Sequence, residues 1–170
     1  MSTLRQTLDA LLQWTVIFLM VMLTVVVILA VFARKLGASL VWYDEIASIM
    51  LAWVTYYAAA YAALKRQHIG FDGVLLRLPL TARKIAVVIA EALVIGFFLL
   101  LTWAGLEVLS VVGGDRLVSL TWMPIAVTQS VIPIGGALFI ICELVSLPDY
   151  WRSVIAGRSA EHPEFIPESS

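Results

Sequence analysis

Four stretches of this chain carry almost no charge, and each is long enough to cross a bilayer. That constrains the fold more than any motif does. Residues 10–33 are 24 residues without a charge, about 36 Å as an α-helix, against a hydrocarbon core of about 30 Å. Residues 46–64 are 19 uncharged residues between Asp44–Glu45 and Lys65–Arg66. Residues 85–110 are interrupted by Glu91 and Glu107, and residues 117–142 contain Pro124 and Pro133. In lipid every backbone N–H and C=O must be satisfied internally, so only helices and closed barrels can span. These runs are too long for barrel strands and none alternates with period two. The fold class expected is all-α integral membrane protein: four transmembrane helices with short interfacial amphipathic segments. The spans are placed at about 10–33, 44–65, 82–110 and 119–145, within one membrane domain of residues 1–156.

Composition agrees. Hydrophobic residues make up 62% of the 170 and charged residues 14%, with a mean hydropathy of +0.98. A soluble domain sits nearer half apolar and a quarter charged. A short chain could not bury so much apolar surface in water. This balance excludes a soluble enzyme and a disordered chain. The net charge of −1 gives no basic footprint for nucleic acid. The first apolar run is too long for a signal-peptide core, so no cleavable leader is expected.

The connections have their own signals. Ser39 can cap a short interfacial stretch, and Trp42–Tyr43 suit the headgroup level. Phe71, Val74, Leu75 and Leu78 fall at i, i+3, i+4 and i+7, which predicts a surface helix stopped by Pro79. Thr81 is then placed as the cap of the third helix. Gly113–Gly114–Asp115 predicts a tight turn. Pro133 predicts a kink in the fourth helix. The polar tail, 157–170, holds Pro163 and Pro167 and is expected to be disordered. With four spans, one side carries Arg5, Lys65, Arg66, Arg77, Arg83, Lys84, Arg152 and Arg158, and the other Arg34, Lys35 and Arg116. This excess of eight over three places both termini in the cytoplasm.

Few residues invite chemistry. Glu91 lies seven residues past Lys84, about 10 Å into the third helix. It reads either as a proton or cation site or as a carboxylate paired with a Lys or Arg of a neighbouring helix. Glu107 and Glu143 read as interfacial. Cys142 stands alone, a packing residue that permits no intramolecular disulfide. The histidines, His68 and His162, do not supply the intramembrane pair a bis-histidine haem requires, and no metal-ligand cluster exists. Walker A, HExxH and GxSxG motifs are absent. No enzyme activity, cofactor or metal is expected. Trp53, Tyr57 and Tyr61 recur every four residues beside Ala58/Ala62 and Ala59/Ala63. Such small-residue pairs let helices approach closely, within this chain or against another protein.

Residues 42–79 read WYDEIASIMLAWVTYYAAAYAALKRQHIGFDGVLLRLP. This order of signals resembles the small membrane subunit of tripartite ATP-independent periplasmic (TRAP) transporters, the DctQ-like family. An acidic pair opens the second helix (Asp44–Glu45) and a Trp follows about two turns later (Trp53). Small residues and a basic residue lead to a His-Ile pair (Lys65, His68, Ile69), then an Asp and a closing Leu-Pro (Asp72, Leu78–Pro79). The fourth run, with Trp122, Pro124 and Pro133, is similar to the family's last helix. Where the family often has a basic residue after His-Ile, this chain has Gly70.

The resemblance implies a subunit that pairs with a large membrane subunit holding the substrate and sodium sites and moving as an elevator. A periplasmic substrate-binding protein would deliver an organic acid of the carboxylate or sialic acid class. The small subunit would enlarge the static scaffold, in the bacterial inner membrane, without enzymatic chemistry. Asp44, Glu45, Trp53, Lys65, Arg66, His68 and Asp72 match the family pattern and are expected at interfaces. Lys65, Arg66 and His68 would meet phospholipid or the partner on the cytoplasmic side, and residues 42–45 would lie on the periplasmic side. Two other classes stay open. A self-contained homodimeric transporter would need Glu91 as its essential carboxylate. A respiratory membrane anchor would need haem or quinone.

Overall fold

The computed structural model describes residues 3–38, 40–66 and 78–156. Ser39, the amphipathic stretch with His68 and Asp72, and the tail 157–170 lie outside the described residues. The helices are α1 (Thr3–Lys35), α2 (Tyr43–Lys65), α3 (Leu80–Val112), α4 (Ile125–Gln129) and α5 (Val131–Ile155). With α4 and α5 counted as one span, Ile125–Ile155, four helices among the described residues are long and apolar enough to cross a membrane. Hydroxyls within them bond the preceding turn: Thr15 donates to the Leu11 carbonyl, Thr24 to Met20 and Thr55 to Leu51, each at 2.8 Å. These bonds remove lone donors from an apolar surface.

Two local expectations are corrected. Thr81 does not cap the third helix. Pro79 does, with φ −59° and ψ 151°, and its carbonyl accepts the Arg83 N–H at 2.9 Å. Proline needs no N–H partner there, so the helix begins one residue before the threonine. Pro133, expected to kink the fourth helix, lies just after a break in it. It falls in the first turn of α5, and its missing N–H leaves the Gln129 carbonyl without its usual i+4 donor. The helix is interrupted one turn upstream, between Gln129 and Val131, and the proline inside α5 is Pro148. Residues 113–124 form a loop: the Asp115 N–H closes a turn onto the Val112 carbonyl at 3.0 Å, and the Leu117 N–H donates to the Met123 carbonyl at 3.1 Å.

The helices pack in the order α1, α2, α5, α3, and α1 meets α5 only marginally. The fourth span is, with α2, one of the two inner members of this row. Its most apolar window is 44% buried, against 6% for α1 and for α3. The core combines Leu12 of α1, Ala60, Ala63 and Leu64 of α2, and Phe139 and Cys142 of α5. Phe98 of α3 stacks on Phe139 with centroids 3.6 Å apart. Close approach depends on glycine. A Cβ at Gly135 would meet the Tyr56 Cβ at 2.7 Å, and one at Gly105 would meet Ile132 and Pro133 at 2.9 Å.

Gly135→Ala is therefore expected to separate α2 from α5 and cost about 1–3 kcal/mol, the usual penalty of overpacking. Gly96 is the control, because a Cβ added there would meet nothing within 4 Å. Gly96→Ala should be neutral or stabilise by up to about 1 kcal/mol through helix propensity. Thermal unfolding in nanodiscs separates the two.

Candidate functional site

The polar side chains of this chain gather at the two ends of the helix row. At the end where α1 and α3 begin and α2 and α5 finish, three sets of charges tie the helices. Arg5 of α1 pairs with Asp149 of α5. Lys65 of α2 pairs with Asp9 of α1 at 2.7 Å and lies 5.6 Å from the centre of the Tyr61 ring. Arg66, just past α2, reaches both α3 and α5.

Arg66 is the residue around which this end is organised. It caps α2 in the left-handed region, φ 55° and ψ 34°, and its N–H bonds to the carbonyls of Ala62 and Ala63. Glycine normally occupies such a position, and a residue with a Cβ is strained by about 1 kcal/mol or more. The side chain accounts for the exception. Its Nη1 donates to Glu91 of α3 and lies 2.8 Å from Oε1 of Glu143 of α5. Its Nε donates to Ser146 Oγ at 2.8 Å, and Nη2 to the Glu143 carbonyl at 3.1 Å. The guanidinium lies 4.6 Å from the centre of the Tyr150 ring. Ser146 Oγ is also 3.2 Å from the Ala63 carbonyl, so it links α2 to α5 directly. The Arg66 side chain is 12% exposed, Glu91 13% and Glu143 6%.

At the other end Glu45 performs a similar task without a cation. Its Oε1 accepts the Val118 N–H at 3.1 Å. Its Oε2 accepts the Ser119 N–H at 3.0 Å and the Ser119 hydroxyl. The loop between α3 and α4 is thereby fastened to the first turn of α2. Arg116 donates to the carbonyls of Thr121 and Trp122 at 3.3 Å and holds the loop in shape. Arg34 at the end of α1 donates to the Tyr43 hydroxyl at the start of α2.

Glu45, Lys65 and Arg66, expected to face a partner or lipid, thus engage this chain's own groups. Trp53 does the same. Its indole N–H donates to the Thr128 carbonyl at 3.3 Å. It also lines an apolar cavity of about 220 Å³ with Leu19, Met50, Met123 and Val127. Asp44 is exposed. Glu91 takes the paired form of its two readings. Glu107 is exposed, but Glu143 is not near a helix end: it is 4% exposed, paired with Arg66, and its helix runs on to Ile155. Its placement near a helix end followed from ending the fourth span at 145, whereas α5 continues to Ile155. A usable signal was present, since Glu143, Ser146 and Tyr150 fall at i, i+3 and i+7 on one helix face. Cys142 is buried in the core and unpaired. Among the described residues no group of three His, Cys, Asp or Glu side chains could hold a metal ion.

Arg66→Ala leaves Glu91 and Glu143 facing each other without their guanidinium. A loss of about 3–5 kcal/mol is expected, the cost of breaking a buried ion pair from one side. Lys65→Ala, at a pair whose side chains are 33% and 26% exposed, should cost at most about 1 kcal/mol. Equal shifts in thermal midpoint for the two variants would contradict this ranking.

No curated protein sequence matches the chain. The family model described as "Tripartite ATP-independent periplasmic transporters, DctQ component" matches residues 23–153. That match takes in the last part of α1, the Arg66 and Glu45 clusters and nearly all of α5, but not Arg5 or Asp9. The chain belongs to the DctQ family, the small membrane subunits of TRAP transporters.

Proposed function

We propose that this chain is the fixed small subunit of a sodium-coupled TRAP transporter that imports an organic acid of the carboxylate or sialic acid class. The family match over residues 23–153 carries the reading. The geometry supports it. A mobile transport domain needs a frame to slide against, and here each helix is tied to its neighbours by polar bonds at the ends of a row. The apolar outer helices, with exposed Leu93, Phe97, Leu100 and Trp103 on α3 and Trp14, Phe18 and Phe32 on α1, offer surface to lipid and to the large membrane subunit. The balance of basic residues puts the termini and the Arg66 end in the cytoplasm. The Glu45 end, where Leu36, Val41, Val118 and Trp122 stand exposed, then faces the periplasm and the substrate-binding protein. Lys65, with a third of its side chain exposed, remains within reach of a phospholipid headgroup. In this reading the small subunit holds no substrate site. The rival reading, a homodimeric transporter working through Glu91, needs that carboxylate open to a cargo, and it is instead engaged with Arg66.

Affinity capture of the tagged chain from its native membrane in mild detergent tests the proposal. A large polytopic membrane protein should accompany it at near-equal stoichiometry, and uptake in proteoliposomes should require both. A homo-oligomer that transports unaided, with activity abolished by Glu91→Gln, would overturn it.

A further inference from the structure

The polar cluster at the Arg66 end is out of electrical balance. One guanidinium stands between two carboxylates, and each of those carboxylates uses only one oxygen on it. Oε2 of Glu91 and Oε2 of Glu143 are both buried and, among the described residues, have no hydrogen-bond partner. The cations nearby are engaged elsewhere. Lys65 bonds Asp9, Arg5 bonds Asp149, and Arg83 donates to the carbonyls of Val154 and Leu78, both at 3.2 Å. The other groups facing the pair are Ser146, whose hydroxyl is occupied by Arg66 Nε and backbone carbonyls, the Tyr150 ring under the guanidinium, and Cys142, a neighbour of Glu143 in the core. None supplies positive charge. The two carboxyls are held side by side, because the Oε1 of each binds the same nitrogen, Arg66 Nη1.

We propose that Glu91 and Glu143 bind one proton between them, so that the cluster is a neutral triad of one guanidinium, one carboxylate and one carboxylic acid. Two ionised carboxylates this close, away from water, repel each other and leave one charge uncompensated. A single proton cures both defects at once. Protonation turns one of the two carboxyls into a donor, and the neighbouring carboxylate is the acceptor it would take, which gives the orphaned oxygens something to bond. Arg66 keeps a full ion pair and its remaining bonds. The proton belongs to the pair rather than to either residue. It makes a lasting joint between α3 and α5 out of two groups that would otherwise push those helices apart.

Infrared difference spectroscopy of the full chain in lipid nanodiscs tests this, with wild type compared against Glu91→Gln and Glu143→Gln. A glutamine imitates the protonated acid in shape, neutrality and donor capacity. At neutral pH the wild type should show the carbonyl band of one neutral carboxylic acid, shifted by carbon-13 glutamate and by heavy water. Either single variant should lose the band yet keep the wild-type thermal midpoint. The double variant, which strips Arg66 of both counter-charges, should unfold at a clearly lower temperature. A wild-type spectrum without a neutral glutamic acid at neutral pH would overturn the proposal, as would a band that survives both single substitutions. If the single variants fail to fold, the isotope-shifted band of the wild type decides alone. If that band is absent and sodium or potassium chloride raises the midpoint, a metal cation balances the charge and the proton assignment is wrong.

Discussion

A guanidinium held in a strained backbone position at the end of α2 joins three helices, α2, α3 and α5. Arg66 is the only described non-glycine residue with positive φ. Every functional group of its side chain faces α3 or α5. Lipid gives apolar helices no reason to prefer one another over the bilayer, so association rests on packing, close contact and interhelical polar bonds. In this chain those three devices are layered along the helix axis. Arg66, Lys65 and Arg5 bind one end, glycine-mediated contacts at Gly105 and Gly135 close the middle, and Glu45 fastens the loop at the other end.

This arrangement explains why a span holding Pro133, Gly135, Gly136 and Pro148 occupies an inner position. Ile125–Ile155 is a poor free-standing helix, interrupted upstream of Pro133. Its small residues admit α2 and α3 closely, and its polar stripe of Glu143, Ser146 and Tyr150 receives the guanidinium. The smoother and more apolar α1 and α3 stand at the outside of the row, where their exposed faces meet lipid or another subunit. The distribution suits a frame: specific and polar within, apolar without.

Much of the architecture is legible in the sequence, because the cost of an unpaired backbone in lipid leaves few choices for long uncharged runs. The Asp44–Glu45 and Lys65–Arg66 pairs bracket α2 as their charges require. Partner choice is harder. Glu45, Trp53, Lys65 and Arg66 stand out as residues with something to bind, but nothing in their spacing says that their bonds close within the chain. That depends on α5 lying next to α2, a long-range fact with no local signature. Glu143 is misassigned from sequence because its helix ends at Ile155, about ten residues past the expected end at 145. A polar tyrosine, tryptophan and arginine cluster near residue 150 resembles an exit from the membrane as much as a continuation of the helix. Thr81 loses its cap to Pro79 because proline has no N–H to satisfy there, a preference that composition alone does not rank.

In the proposed assembly the polar bonds make the four helices one fixed body while the transport domain moves. Pulsed electron paramagnetic resonance between spin labels at Leu29→Cys on α1 and Leu99→Cys on α3, both exposed positions, measures this directly in the assembled complex. Cys142 is buried and does not compete for the label. A fixed body gives one narrow distance distribution that is the same with and without the transported substrate. A distribution that shifts or splits on adding substrate would contradict it, because the outer helices would then belong to the moving part.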